Sequence, residues 1–444
     1  MAQAGDDGTA RAAAARGSAP HAVRGWALFA ALLAAYALFA VLLNSVGTVI
    51  MQAIRYYGVA KTTASTLEAF KDLSIAAVSL LLAAHLPRIG YRRAMIAALL
   101  VVAAALFAMP VVDRFAMAQV LFLATGAAFA VVKVATYATL GLLGADPRRH
   151  QARMNQLEGV FMLGVLAGYW IFGHFIGERP AGDPGWLAVY PLLAAAALAA
   201  AGLLALTRFP PIGDGIGRPA APARAAFVEM ARLAVRPLTL VFILSAFLYV
   251  LVEQAIGTWL PSFNREILAL SPRASVEITS IFAAALAAGR LGASVLLGRF
   301  HWYPVLMALL AAMAGLILVA LPLAQVLPAD GGATLMGLPL AAFLLPLVGL
   351  FMAPVYPAIN SAILSALPPA RHAAMTGLIV IFSALGGTTG SLVTGYLFAH
   401  VDGILAFYAT LVPISGLAAA LTLLERALAR TRAAQRKAQE SASE

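Results

Sequence analysis

Glu68, Lys71 and Asp72 fall within about one helical turn of each other in an otherwise apolar run. Side chains three and four apart share a helix face, so the three would form one cluster. Desolvation favours the neutral form of a carboxylate and a neighbouring ammonium favours the charged one. A group poised between the two can bind and release a proton as water gains or loses access to it. Two carboxylates against one lysine leave one negative charge unpaired. We therefore expect Asp72 to carry a proton, with Glu68 in the same exchange and Lys71 as the ion-pair partner that gates it. A permanent ion pair bracing the helix is the alternative.

Other apolar runs are interrupted by Lys133, Glu158, Glu253, Glu277 and Arg290. Lys133 and Glu158 lie on runs that would be adjacent and antiparallel, where pairing would satisfy two costly charges. The pair would be either a latch broken by a solute or a fixed brace, and Glu158 joins the candidates for proton coupling. A lysine there also suits a solute bearing a carboxylate or phosphate. Glu253 lies toward the outer end of its run, either a second proton site or a rim residue. Arg290 sits in Gly-Arg-Leu-Gly, whose glycines allow close approach to a neighbouring backbone, and a gate that caps carbonyls is the expectation. Glu277 reads as interfacial. Asn44, Gln254 and Asn360 each place an amide, both donor and acceptor, where a hydroxyl-rich ligand could meet it. Hydrogen bonding between helices employs the same residue types.

The elements that position these residues are membrane-spanning helices. Each run holds roughly 20 apolar residues, enough to cross about 30 Å of hydrocarbon, and no ten-residue alternation suggests a barrel. Spans one to twelve are expected over 25–52, 63–86, 94–112, 116–143, 153–176, 186–207, 237–261, 274–298, 303–326, 336–366, 373–399 and 403–424. Composition agrees, with 62% hydrophobic and 11% charged residues, where a soluble protein carries about a quarter charged. The chain has no cysteine and its seven histidines are scattered, so no disulfide, metal site or cofactor is expected. No phosphate-cradling loop is present either. The first 23 residues lack the apolar stretch and cleavage site of a secretory signal and read as a disordered cytoplasmic tail.

Of the 30 Lys and Arg, 21 fall in the tails and in the loops on the termini side, and six lie in the opposite loops: Arg55, Lys61, Arg114, Arg179, Arg265 and Arg273. The positive-inside rule then places both termini in the cytoplasm. It also accounts for the net charge of +11 without a nucleic-acid partner. The lipid bilayer is the partner.

Residues 208–236 are the longest internal loop and carry Pro and Gly through 210–222. They divide the chain into a tail (1–23), a six-helix bundle (24–207), a cytoplasmic linker (208–236), a second bundle (237–426) and a tail (427–444). Phe227, Met230 and Ala234 share a helical face away from Arg224, Glu229, Arg232 and Arg236, so the linker is expected to hold an interfacial helix on the inner leaflet. A weak repeat relates the halves. Leu-Asn-Ser-Val-Gly-Thr ending at Thr48 aligns with Glu-Gln-Ala-Ile-Gly-Thr ending at Thr258, with Gly47 and Gly257 in register. Spans three, six, nine and twelve carry no charge at all. An ionisable group in hydrocarbon costs at least about 2.5 kcal/mol, so the charge-free spans should face lipid and the charged ones the interior.

This pattern resembles the major facilitator superfamily over the whole chain, and implies an all-α membrane protein of twelve transmembrane helices in two pseudo-symmetric six-helix bundles. His85-Leu-Pro-Arg-Ile-Gly-Tyr-Arg-Arg93 looks like that superfamily's loop between spans two and three, with Arg88 a gating candidate; its usual acidic residue is missing. Within the superfamily the chain is similar to the fucose, galactose and glucose proton symporters. The likeness rests on Leu43-Asn44, Arg153-Met-Asn155, Tyr249 through Glu253 to Trp259, Gly289-Arg290 and Met352-Ala-Pro354-Val-Tyr-Pro357. In that family a span-one carboxylate carries the proton and a span-four glutamate contacts sugar; Ser45 and Lys133 stand at those positions here. The resemblance implies a monomeric secondary transporter of the bacterial-type inner membrane. It would import a small polar solute, a monosaccharide or sugar derivative, by proton symport with alternating access. Trp259 would supply an apolar face for a sugar ring, and Pro354, Pro357, Gly386 and Gly387 would let spans ten and eleven bend. An exporter of drugs or metabolites is the runner-up, lowered by the missing Gly-Pro signature in span five. A membrane enzyme or sensor would need a polar catalytic cluster or a soluble output domain, and neither is found.

Overall fold

The computed structural model describes residues 26–82, 86–142, 147–207, 209, 223–326, 339–365, 367–368 and 371–443. The expected tail 1–23, His85 and the Pro- and Gly-rich stretch 210–222 lie outside them. Twelve helical spans cross the molecule, and no strand occurs among the described residues. Eleven are long and apolar enough to cross a membrane. The remaining one, span two, has a main helix of 17 residues, Thr66–Leu82, and is the one that contains Glu68, Lys71 and Asp72.

Span one runs Trp26–Asn44, turns at Ser45 and continues as Val46–Tyr57. At the turn Ser45 Oγ donates to Leu42 O at 2.7 Å and Asn44 Nδ2 to Ala40 O at 2.9 Å, so side chains satisfy carbonyls that a break would strand in an apolar core. Span two follows as Lys61–Ala64 and Thr66–Leu82. Spans three to six are Tyr91–Val112, Phe115–Leu142, Pro147–Ile176 and Val189–Leu206. Span seven is Pro237–Gly257, extended by Leu260–Glu266, and spans eight and nine are Pro272–Arg299 and Trp302–Val326. Span ten is segmented into Ala341–Leu344, Leu345–Leu347, Val348–Met352 and Val355–Ser365. Span eleven is His372–His400, and span twelve is Gly403–Tyr408 followed by Leu411–Ser443. Residues 427–443, expected as a tail, therefore continue the last helix.

The packing repeats itself when six is added to each span number. Spans two and four pack together, as do eight and ten; three packs on six, and nine on twelve. Between the halves five packs on eight and two on eleven, the same contact seen twice. Inside each half a glycine pair draws two spans together. Gly164 and Gly168 of span five lie against Ala37, Ala40 and Val41 of span one, and Gly386 and Gly390 of span eleven lie on the carbonyls of Phe247 and Leu251 in span seven. A side chain at Gly164, Gly386 or Gly390 would separate backbones that now touch, whereas Gly168 lies in ordinary van der Waals contact with Val41.

Spans three, six, nine and twelve expose Val101, Phe107, Leu206, Val319 and Val412, whereas Glu68 is 0% exposed, Lys71 5% and Asp72 8%. The linker helix, Ala223–Ala234, buries Met230 and Leu233 and packs on span eleven, with the Met230 sulfur beside Gly377. Its buried residues Met230 and Leu233 are thus seated on protein.

Candidate functional site

A pocket opens at the junction of the halves, lined among others by Asn44, Lys71, Tyr169, Glu253, Gln254 and Thr258. Each lies on a cavity-facing stripe with a helical period. On span five the stripe continues from Tyr169 and Val165 through Met162 to Glu158, and on span eight from Phe282 and Leu286 to Arg290. Steps of three and four keep them on one face.

Span two supplies the cluster expected there. The Lys71 ammonium forms an ion pair with Glu68, and Asp72 Oδ1 stands 3.4 Å from the same nitrogen. Close packing holds the group. Gly126 of span four touches the Lys71 carbonyl, and Gly387 of span eleven lies against Asp72 Oδ2 and the Gln254 side chain. The cluster therefore sits where spans two, seven and eleven meet, across the divide between halves. Thr258 Oγ1 spans that divide, 3.0 Å from Glu68 Oε2 and 2.9 Å from Gln254 Oε1.

Glu253, expected at the rim, lines the central pocket instead. Tyr249 OH reaches it at 3.4 Å, and the Tyr249 ring stacks on Tyr356 at 5.3 Å. Span seven continues as Leu260–Glu266 beyond Gly257, which puts Glu253 deeper than a span ending at 261 implied. Asn44 gives one amide N–H to Ala40 O and so has its second N–H and its oxygen left for the pocket.

Toward the termini-bearing end the stripes reach exposed residues. Lys133 and Glu158 are both exposed and do not pair; the expected latch is absent. Tyr137 OH donates to Glu158 Oε1 at 2.7 Å, and Lys133 Nζ lies over the rings of Phe129 and Tyr137 at 5.7 and 6.0 Å. Aromatic faces have taken the place of the carboxylate for this cation. Arg290, also exposed, donates to the Met162 sulfur at 3.3 Å rather than capping carbonyls. Asn360 Oδ1 is buried without a hydrogen-bond partner, one turn from Tyr356. At the opposite end the halves are joined. Lys61 pairs with Glu266 and donates to Phe398 O at 3.3 Å, Ser271 Oγ donates to Glu178 Oε1 at 2.8 Å, and Gly47 rests on the Thr258 carbonyl.

Other expected residues lie elsewhere. Trp259 is fully buried; its indole N–H donates to Ser391 O at 3.0 Å and its ring stacks on Phe398 at 5.2 Å. It is a packing residue of the second half and presents no face to the pocket. Span ten breaks at Pro354, but Val355–Ser365 runs through Pro357. As the third residue of that helix Pro357 costs no intrahelical bond, so it is not a hinge. Gly386 packs spans within one half, while Gly387 meets the charged cluster. Arg88 is exposed on the short helix Leu86–Ile89, and its neighbour Arg92 instead reaches the Ala205 carbonyl of span six. Glu277 accepts from Arg273 at 2.7 Å, as an interfacial residue would. Thr258, Tyr169, Tyr137 and Tyr249 were missed, since tyrosine and threonine in an apolar run read as ordinary packing. The register of Gly47-Thr48 with Gly257-Thr258 was the signal for Thr258.

Residues 27–347 match the family model of the Major Facilitator Superfamily. No curated protein matches the sequence. Among solved structures the chain is similar to a bacterial homologue of the human lysosomal transporter Spinster, inward-facing and occupied, with 14% identity and a TM-score of 0.72 over 91% of this chain and 97% of that one. It is similar to the nucleoside transporter NupG, with 15% identity and a TM-score of 0.68 over 89% and 99%. The fucose:proton symporter of E.coli in the outward conformation shares 18% identity, with a TM-score of 0.57 over 90% and 98%.

Proposed function

We propose, from the premise that the chain belongs to the major facilitator superfamily, that this integral membrane transporter imports a small polar solute by proton symport, and that a sugar or sugar derivative is its solute. The observation that carries the reading is the Glu68–Lys71–Asp72 cluster, buried at the junction of the halves, whose Lys71 lines the same pocket as Glu253. Along the cavity stripes, Glu68, Asp72, Glu158 and Glu253 face Lys71, Lys133 and Arg290. Carboxylates exceed cations by one, and a single proton brings the interior to neutrality. A neutral solute can then cross with that proton without dragging uncompensated charge through the low-dielectric centre. Asn44, Gln254 and Asn360 supply amide contacts, and Tyr137, Tyr249 and Tyr356 supply ring faces and hydroxyls.

The termini-bearing end is assigned to the cytoplasm from the distribution of Lys and Arg. On that assignment the cavity faces inward, with its outer end shut by Lys61–Glu266 and the Gly47–Thr258 contact. Sugar and nucleoside transport by structural neighbours suits a hydroxyl-rich solute. The test is purified protein in liposomes, offered L-fucose, D-xylose and uridine under an imposed inward proton gradient. Gradient-dependent accumulation of one of them, abolished by Asp72→Asn, is expected. Uptake indifferent to both the gradient and that substitution would reject proton coupling through Asp72.

A further inference from the structure

Thr258 has one hydroxyl proton and two acceptors in reach, Glu68 Oε2 at 3.0 Å and Gln254 Oε1 at 2.9 Å. Glu68 and Thr258 are both buried, so water cannot relieve the competition. A hydroxyl donates once and accepts through its lone pairs, and only two arrangements satisfy all three groups. With Glu68 ionised, Thr258 donates to it, and Gln254 turns its NH2 toward Thr258 and its carbonyl toward the pocket it lines. With Glu68 protonated, its O–H donates to Thr258, Thr258 donates to the Gln254 carbonyl, and the amide NH2 turns to the pocket. We propose that Thr258 is a positioning residue that reads the charge on Glu68 and sets whether Gln254 offers the solute an acceptor or a donor. The chemical class this selects for the proton-loaded state is a neutral solute with an acceptor oxygen, such as a ring oxygen or carbonyl, directed at Gln254.

The surroundings of Glu68 allow the proton to reside there. On its own helix Lys71 contacts it and lies 3.4 Å from Asp72, so a neutral Glu68 leaves Lys71 paired with Asp72. Span seven presents Thr258, Gln254 and Glu253, and span five presents Tyr169. Span eleven contributes Gly387, and span four contributes Gly126, neither titratable. A proton on Glu68 finds Thr258 as acceptor, and Asp72 is then the counter-ion that Lys71 requires, so coupling depends on Asp72 as well. The two protonation states therefore differ in the polarity of the pocket wall, which is a physical link between proton and solute.

The inference rests on the proton-symport reading, and its test needs no solute. Infrared difference spectra of the purified full chain are recorded on acidification, the proton being the only probe. The wild type is expected to gain the carbonyl stretch of a protonated carboxyl, absent in Glu68→Gln, together with a shift of a side-chain amide band, absent in Gln254→Leu. Thr258→Ser should keep both, and Thr258→Val should keep the carboxyl band and lose the amide shift. An amide shift that survives Thr258→Val, or never accompanies the carboxyl band in the wild type, overturns the relay. If no Glu68 carboxyl band rises at all, the relay falls as well, while the liposome experiment still decides whether the chain is a proton symporter.

Discussion

Lys71 serves two buried carboxylates at once, so removing it strands both. Breaking a buried ion pair from one side costs about 3–5 kcal/mol, because the partner charge stays behind without compensation. Lys71→Met alone is expected to lower the thermal unfolding midpoint strongly, and adding Glu68→Gln and Asp72→Asn to it should recover most of the loss; a midpoint no better in the triple variant would contradict the charge account. Trp259→Phe deletes a hydrogen bond to Ser391 O while keeping the stack on Phe398, a loss of about 1 kcal/mol. It should leave the solute KM unchanged, whereas Gln254→Leu raises it. Among residues, charge was the legible signal: Glu68, Lys71 and Asp72 announced themselves because hydrocarbon tolerates them only in company. Trp259 packs inside the second half and Glu253 lines the pocket, because depth along a span depends on where the helix ends, and span seven runs on through Leu260–Glu266.

At the scale of elements the glycine pairs set the distance between spans. Gly386 and Gly390 of span eleven sit on carbonyls of span seven with no room for a Cβ. Gly390→Val should therefore destabilise by about 1–3 kcal/mol through overpacking. Gly202→Ala in span six, where a Cβ meets nothing within 4 Å, should leave the unfolding midpoint unmoved or slightly raised. Equal effects at the two positions would show that helix propensity rather than close approach governs these glycines. The spans themselves were legible, since about 30 Å of hydrocarbon demands long apolar runs, though the helices of spans five and twelve run past them to Pro147 and Ser443. The segmentation of span ten and the turn at Ser45 were not, because the side chains and neighbouring helices that re-satisfy a broken backbone are known only once the spans are packed. The linker helix was read correctly as amphipathic from Met230 and Ala234. What covers its apolar face is span eleven, a partner that a local pattern does not name.

For the whole molecule, alternating access requires that the contacts closing one end be weak enough to exchange for others. The Lys61–Glu266 pair, partly exposed at 23% and 33%, fits that requirement: such pairs contribute about 0–1 kcal/mol. A change of 1 kcal/mol moves a two-state population about fivefold, enough to redistribute the ensemble without unfolding it. The chain contains no cysteine, so introduced thiols report accessibility against no background. Thr48→Cys, buried near the Gly47–Thr258 contact, is expected to resist a membrane-impermeant maleimide added from the outer side, and Lys61→Gln should raise its labelling rate up to about fivefold. Asn155→Cys, exposed near the termini-side end of span five, should be labelled readily from that side and less so in the same Lys61→Gln background, because opening one end must close the other. If Lys61→Gln accelerates labelling at both positions together, the pair braces the fold instead of one end of a rocking cycle, and the closure of the outer end must rest on the packing of Gly47 against span seven.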